Sequence, residues 1–213
     1  MLANSVTVFV VDDDEAVRKS LTRMLFTFGY RVVAAESAAE FLRLSVNAPH
    51  PCCLILDVKL PDLDGLDLQT QLSRDGMLMP IVFITGHGDL PMGVKAMKAG
   101  AVDFLSKPFR PLHLLEAVQV ALDRDRNESG KRGETARIKG LMAQLTTRER
   151  EVMDLVSVGL TNKEIAERLG LVVQTVKVHR GRMMSKMGVT SLAGLVHLRT
   201  SQDTQIALKT PLH

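Results

Sequence analysis

The chain has very little cysteine: two residues in 213, adjacent at Cys52 and Cys53 inside an apolar run. Neighbouring thiols in such a run read as small buried hydrophobes in a reducing compartment, rather than as a bridge or a metal site. Long hydrophobic runs are absent too. None approaches the ~20 residues that a membrane helix needs. The start, Met1-Leu2-Ala3-Asn4-Ser5, lacks a basic leader region, so export is not expected and a cytoplasmic location is. There is no internal repeat and no low-complexity segment. What is present is ordinary for a globular protein: 46% hydrophobic and 24% charged residues. That composition excludes a disordered chain and provides for a core without staples. The length fits one large domain or two small ones.

A net charge of +3 conceals an asymmetry. Residues 1–125 hold 12 Lys and Arg against 16 Asp and Glu, whereas residues 126–213 hold 15 against 8. An acidic leading region and a basic trailing region suggest separate tasks, the latter beside nucleic acid.

Within the acidic region, strand and helix periodicities alternate. Val6 to Val11 is a β-branched run without polar alternation, as a strand covered on both faces requires. The stripe Val17, Leu21, Met24, Leu25, Phe28 predicts a helix ending at Gly29. Further strands are expected at 31–34, 52–56, 81–84 and 102–105, and helices at 37–46, after Gly65, near 92–98 and at 111–122, the last opened by proline. Five strands alternating with five helices predict a parallel α/β sheet with right-handed crossovers. Functional groups in such sheets lie beyond the carboxyl ends of the strands. Asp12, Asp13, Asp57, Thr85 and Lys107 follow those ends here.

Three carboxylates on one edge repel one another unless a cation sits among them. Hard oxygen ligands suit Mg²⁺. A carboxylate beside that ion can act as a phosphoryl acceptor, with Thr85 and Lys107 of the right types to hold the added group. Any single aspartate is also explained as the N-cap of the helix that follows, but the convergence is not.

These residues carry a resemblance. Val-Val-Asp-Asp-Asp-Glu-Ala-Val-Arg (10–18), Leu-Ile-Leu-Asp-Val-Lys-Leu-Pro-Asp-Leu-Asp-Gly (54–65), Ile-Thr-Gly-His-Gly-Asp (84–89) and Gly-Ala-Val-Asp-Phe-Leu-Ser-Lys-Pro-Phe (100–109) resemble a CheY-type receiver domain over about the first 122 residues. The resemblance implies the strand order 2-1-3-4-5 and phosphorylation of Asp57 by a histidine kinase. It also implies Mg²⁺ held by Asp12, Asp13, Asp57 and the backbone carbonyl of Lys59. Thr85 and Lys107 would grip the phosphoryl group, Phe104 would switch rotamer, and Lys107-Pro108 would be a cis peptide. Lys59 and His87 either tune phosphoryl lifetime or are solvated loop residues; both readings stand.

From Asp125 to Gly140 the chain turns polar and is expected to be a linker, helical in its second half. Beyond it Thr146-x-x-Glu149 and Thr161-x-x-Glu164 are capping boxes, the second with a staple between Leu160 and Ile165. The short helix that the second one opens should end at Leu169-Gly170. A longer one follows over 173–187, and a last one begins near Thr190 or Ser191. Val176, His179, Met183 and Met187 should face inward, His179 as a packed residue rather than a ligand. Gln174, Thr175, Lys177, Val178, Arg180, Gly181, Arg182 and Lys186 are the candidate DNA contacts. Between Arg168 and Gln202 there are six Lys and Arg and no acid. A short helix, a turn and a basic helix suit the major groove, with the cations on phosphates and Lys177 and Val178 at base edges.

Leu-Thr-Thr-Arg-Glu-Arg-Glu-Val (145–152), Gly-Leu-Thr-Asn-Lys-Glu-Ile-Ala (159–166), Thr-Val-Lys-Val-His-Arg (175–180) and Lys-Met-Gly-Val (186–189) resemble a LuxR-type four-helix DNA-binding domain. The combination is similar to the FixJ branch of response regulators. One departure is Val172-Val173, where the family commonly has a Ser or Thr cap. The expected organisation is a receiver over 1–124, a linker over 125–140, a small all-α helix-turn-helix domain over 141–200 and a loose tail over 201–213. The function implied is phosphorylation-dependent DNA-binding transcription regulation without enzymatic turnover. The partners implied are a sensor histidine kinase, promoter DNA, RNA polymerase and, once phosphorylated, a second copy of the chain. The enzymatic alternative is a phosphatase of the haloacid-dehalogenase class. Asp12 and Asp14 have that class's spacing, but Ala16 stands where its Thr or Val belongs, and residues beyond 125 go unexplained. A third reading has a receiver that responds to something other than phosphate.

Overall fold

Unbroken runs of β-branched and apolar residues need cover on both faces, and the strands obtain it. The computed structural model describes residues 6–86 and 90–198. They fall into two units, Met1–Gly130 and Lys131–His213.

In the first unit β1 (Thr7–Val11), β2 (Arg31–Ala35), β3 (Cys52–Asp57), β4 (Ile81–Thr85) and β5 (Asp103–Ser106) form a parallel sheet ordered β2-β1-β3-β4-β5. The helices are α1 (Glu15–Thr27), α2 (Ala38–Leu44), α3 (Gly65–Arg74), α4 (Leu90–Lys98) and α5 (Pro111–Ala143). β1, β3 and β4 are buried along their whole length. Side chains of a strand alternate between faces, so two cores result. Phe9, Val11, Leu54, Leu56 and Phe83 pack with Phe41, Leu68 and Leu72 of α2 and α3. Val8, Val10, Ile55, Val82 and Ile84 pack with Leu21, Leu25, Leu114 and Val118 of α1 and α5. Cys52 and Cys53 join opposite cores as reduced, buried thiols, so no bridge links them.

Side-chain caps begin three of these helices. Asp14 accepts the Ala16 N–H at 2.7 Å, Ser37 the Glu40 N–H at 3.2 Å and Asp64 the Leu66 N–H at 2.8 Å. Each satisfies a donor that the helix itself leaves unpaired. Gly65 permits a close approach: its N–H donates to the Val58 carbonyl at 2.7 Å, and a Cβ there would lie 2.5 Å from the Asp57 carbonyl oxygen.

One expectation is corrected. Residues 125–140 are helical throughout, because α5 continues to Ala143. Short-range ion pairs support the polar stretch, Arg124 with Glu128 at 3.0 Å and Arg137 with Glu134 at 2.9 Å. At about 0.2–0.5 kcal/mol each they recover only part of the cost of Gly130, Gly133 and Gly140, each worth about 1 kcal/mol in a helix interior.

The second unit contains the end of α5, then α6 (Thr147–Ser157), α7 (Asn162–Leu169), α8 (Val173–Met187) and a helical stretch at 192–198. Both capping boxes form, and Gly170 ends α7 in the left-handed region. Val152, Val156, Ile165, Val176, Met183, Met187 and Leu195 make the core, with Leu160 packed on it. The expected loose tail, 201–213, lies outside the described residues, as does His87.

The start of α8 lacks a side-chain cap: Val172 holds the position with an extended backbone and no side-chain hydrogen bond. Its side chain is 69% exposed, so replacing it removes little packing. Val172→Ser is expected to stabilise this unit by about 1 kcal/mol, raising its melting temperature by roughly 4–8 °C. Calorimetry showing no rise would mean that the helix start is satisfied another way.

Candidate functional site

Parallel register places the ends of β1, β3, β4 and β5 side by side. Val11 pairs with Leu56, Asp57 with Ile84 and Thr85 with Ser106. Asp12, Asp57, Thr85 and Lys107 therefore meet at one edge. Lys107 Nζ donates to Asp12 Oδ2 at 2.5 Å and to Asp57 Oδ2 at 2.7 Å. Carboxylate oxygens of Asp12, Asp13 and Asp57 lie within 4.8 Å of one another. Asp12, Asp57 and Thr85 are buried, while Asp13 is exposed at the mouth. Lys59 donates its N–H to Asp57 Oδ1 at 3.2 Å, and its side chain turns to solvent.

Burial holds the Asp12 carboxyl above its ordinary range, against the opposing pull of the Lys107 hydrogen bond. Burial would also disfavour the Lys107 ammonium, but its hydrogen bonds to Asp12 and Asp57 outweigh that, so its pKa stands above the usual lysine value. Three carboxylates and one ammonium leave two negative charges uncompensated when all are ionised. The donors are hard oxygens, and the missing charge is that of a divalent cation, so the residues fit Mg²⁺.

Around this centre the backbone is tightly held. Lys107 N–H donates to the Thr85 carbonyl at 2.7 Å, and the Lys107-Pro108 bond is cis, as expected. Arg18 Nη1 donates to the Asp12 carbonyl at 2.7 Å. That contact has no sequence signature, since Arg18 lies six positions away on the far side of a helix cap. Phe104 is half-buried, its ring centroid 6.3 Å from that of Phe83. A Cβ on Gly93 would come within 3.3 Å of the Phe104 ring, so the ring rests against α4 where the helix has no side chain. Leu90, Gly93, Val94, Met97 and Phe104 line an open depression of about 560 Å³.

A second cluster has no counterpart in the sequence motifs. His50, Cys52 and Asp125 converge where β3 begins, at the opposite end of that strand from Asp57. Residue order puts Asp125 in the linker and makes Cys52 an inert packing residue; only the fold brings them together.

In the second unit α8 presents Gln174, Lys177, Val178, Gly181 and Arg182 to solvent, with Thr175 and Arg180 half-buried. Arg180 Nη1 donates to Asn162 Oδ1 at 2.9 Å, linking α8 to α7. Val176, Met183 and Met187 are buried and His179 is half-buried, as the stripe predicts. Lys186 is engaged within the unit. Its ammonium donates to Glu149 Oε2 at 2.6 Å and to the Gln144 carbonyl at 3.1 Å, which commits it to holding α8 against α6.

Comparison with known proteins bears on both units. The family described as response regulator receiver domain matches residues 8–119, and that described as bacterial regulatory proteins, luxR family, matches residues 143–199. Nodulation protein W of Bradyrhizobium diazoefficiens is 51% identical over 191 residues, covering 90% of this chain and 84% of that one. The transcriptional regulatory protein FixJ of Rhizobium meliloti is 40% identical over 192 residues, covering 90% and 94%. Among solved structures, the response regulator StyR is 44% identical with a TM-score of 0.86, covering 92% of this chain and 98% of that one.

The Lys186 contact makes the second unit sensitive to acid. The Lys186 hydrogen bond, then the Thr146 N–H, holds the Glu149 carboxyl below its ordinary range. A lowered folded pKa contributes stability that is complete above the unfolded value, roughly pH 4.3, and is lost as pH falls through the folded one. Glu149→Gln should therefore melt below the wild type at pH 7, with the gap closing as pH drops below about 4. A gap independent of pH would contradict the ionic role.

Proposed function

We infer the working of this site from one premise: the chain belongs to the two-component response regulators, which join a receiver domain to a LuxR-family DNA-binding domain. Phosphorylation-dependent control of transcription is the function of that architecture. The finer assignments are our proposal, and one observation carries them: a buried carboxylate, Asp57, bears a lysine ammonium at 2.7 Å beside two further carboxylates.

Asp57 is the phosphoryl acceptor. Its carboxylate oxygen attacks the phosphorus of a phosphohistidine on the partner kinase; the P–O bond forms as the P–N bond breaks, and the electron pair returns to the imidazole. Asp12, Asp13, Asp57 and the Lys59 carbonyl hold Mg²⁺. When bound, the ion neutralises charge on the phosphoryl oxygens. Lys107 is already within reach of Asp57 and supplies an ammonium to those oxygens. Thr85, next to the residue that pairs with Asp57 across the sheet, supplies the hydroxyl. The chain is a stoichiometric acceptor, consumed once per event rather than turning over a substrate.

The switch runs through neighbouring strands. Thr85 drawn toward the phosphoryl group leaves room beside Phe83 and Gly93 for Phe104 to turn inward. The surface beyond it is apolar: Leu90 is 82% exposed, and Val94, Met97 and Leu112 are exposed with it. A second phosphorylated copy covers that surface. Paired subunits then present two α8 helices to half-sites in promoter DNA. Lys177, Arg180 and Arg182 meet phosphates, Gln174, Lys177 and Val178 meet base edges, and RNA polymerase is engaged there. Among the described residues no helix is long and apolar enough to cross a membrane. We assign the chain to the cytoplasm, with DNA and kinase.

Incubation with Mg²⁺ and an acyl phosphate donor tests the acceptor. The wild type should take up about one phosphoryl group per chain and Asp57→Asn none. Lys107→Ala should be labelled about 100-fold more slowly. Equal labelling of Asp57→Asn would overturn the assignment, and sustained turnover of phosphate monoesters would favour the phosphatase reading.

A further inference from the structure

At the start of β3, three side chains of different chemistry meet away from the phosphorylation site. His50 Nδ1 lies 2.6 Å from Asp125 Oδ2 and 3.7 Å from Cys52 Sγ. All three ligand atoms fall within 4.8 Å of one another. Asp125, on α5, is fully buried, and its Oδ2 also accepts the Cys52 N–H at 2.8 Å. His50 is 44% exposed and forms the open side of the cluster.

We propose that His50, Cys52 and Asp125 bind a borderline-soft divalent cation, of which zinc is the representative. An imidazole nitrogen, a thiolate and a carboxylate are a zinc donor set, with the fourth position left to water. Mg²⁺ prefers all-oxygen sites and belongs at the other end of the strand. Charge supports the assignment: one thiolate and one carboxylate cancel the ion's two charges with the imidazole neutral, so the loaded site carries no net charge into a buried place. Distances support it too. Ligand atoms around tetrahedral zinc lie about 3.4–3.6 Å apart at usual bond lengths. The Sγ–Nδ1 separation is already of that size, and the Nδ1–Oδ2 hydrogen bond opens by about 0.8 Å as the ion replaces its proton. The Cys52 N–H fixes the carboxylate from behind, as outer-shell donors do in metal sites.

Binding breaks the Cys52 S–H bond and forms the sulfur–metal bond, and the proton passes to solvent. Nitrogen–metal and oxygen–metal bonds replace the His50–Asp125 hydrogen bond, whose proton also passes to solvent, and the neutral ring keeps its hydrogen on Nε2. The bound ion clamps α5 at Asp125 to the residues that lead into β3.

The site is tested on the full chain, stripped with a chelator and titrated with Co²⁺ and then Zn²⁺ without phosphodonor. One equivalent of Co²⁺ should bind with a thiolate-to-metal charge-transfer band, zinc should displace it, and a large excess of Mg²⁺ should not. Cys52→Ser should abolish the band. His50→Gln, at the exposed side where folding is least at risk, should weaken binding by more than about 10-fold, the least that even outer-shell losses cost. Absence of the band in the wild type would overturn the proposal, as would zinc affinity unchanged in His50→Gln. Phosphoryl uptake at Asp57 is a separate readout and does not decide this question.

Discussion

A lysine ammonium between two buried carboxylates is the interaction around which the first unit is arranged. Asp12 and Asp57 end adjacent strands, Asp12 fully buried and Asp57 nearly so, and Lys107 bonds to both. Deleting one partner from a buried ionic set costs about 3–5 kcal/mol, because the remaining charge is stranded. The surroundings respect that constraint. Gly65 admits the backbone beside Asp57, Arg18 holds the Asp12 carbonyl, and the Thr85 carbonyl holds Lys107 by its N–H. Even so the cluster remains short of positive charge. That shortage makes it receptive to a divalent ion, whose charge then offsets that of an added phosphoryl group.

The second unit solves a different problem with ordinary means. Its core is small, and capping boxes, a glycine stop and the Glu149–Lys186 contact define its helices. What remains outside α8 is a cationic and amide-bearing surface with two exposed apolar residues, Val173 and Val178. Such a surface gains affinity from phosphates and selectivity from few base contacts. The acidic and basic halves of the chain thus correspond to two chemistries, one that receives phosphate and one that lies against it.

Much of this is legible from residue order. Strands in a parallel sheet are read as apolar runs, and Asp12, Asp57, Thr85 and Lys107 each follow one, so topology alone brings them together. The caps at Thr146 and Thr161 are local, within reach of pattern reading. Other features are not legible, each for a physical reason. The polar stretch 125–140 looks like a linker because glycines and charges suggest one, yet its charges pair along a helix. The contact of Lys186 with Glu149, 37 residues earlier, joins two helices and so leaves no local pattern. The meeting of His50, Cys52 and Asp125 depends on packing α5 beside β3, which no spacing encodes.

Charge added at the acidic edge should govern DNA binding by α8. Footprinting on genomic fragments, with and without an acyl phosphate donor and Mg²⁺, tests it most directly. Protection of paired half-sites should appear, or strengthen by at least about tenfold, only when donor and ion are both present, the size of a coupling of roughly 1.4 kcal/mol. Equal protection without the donor would contradict it.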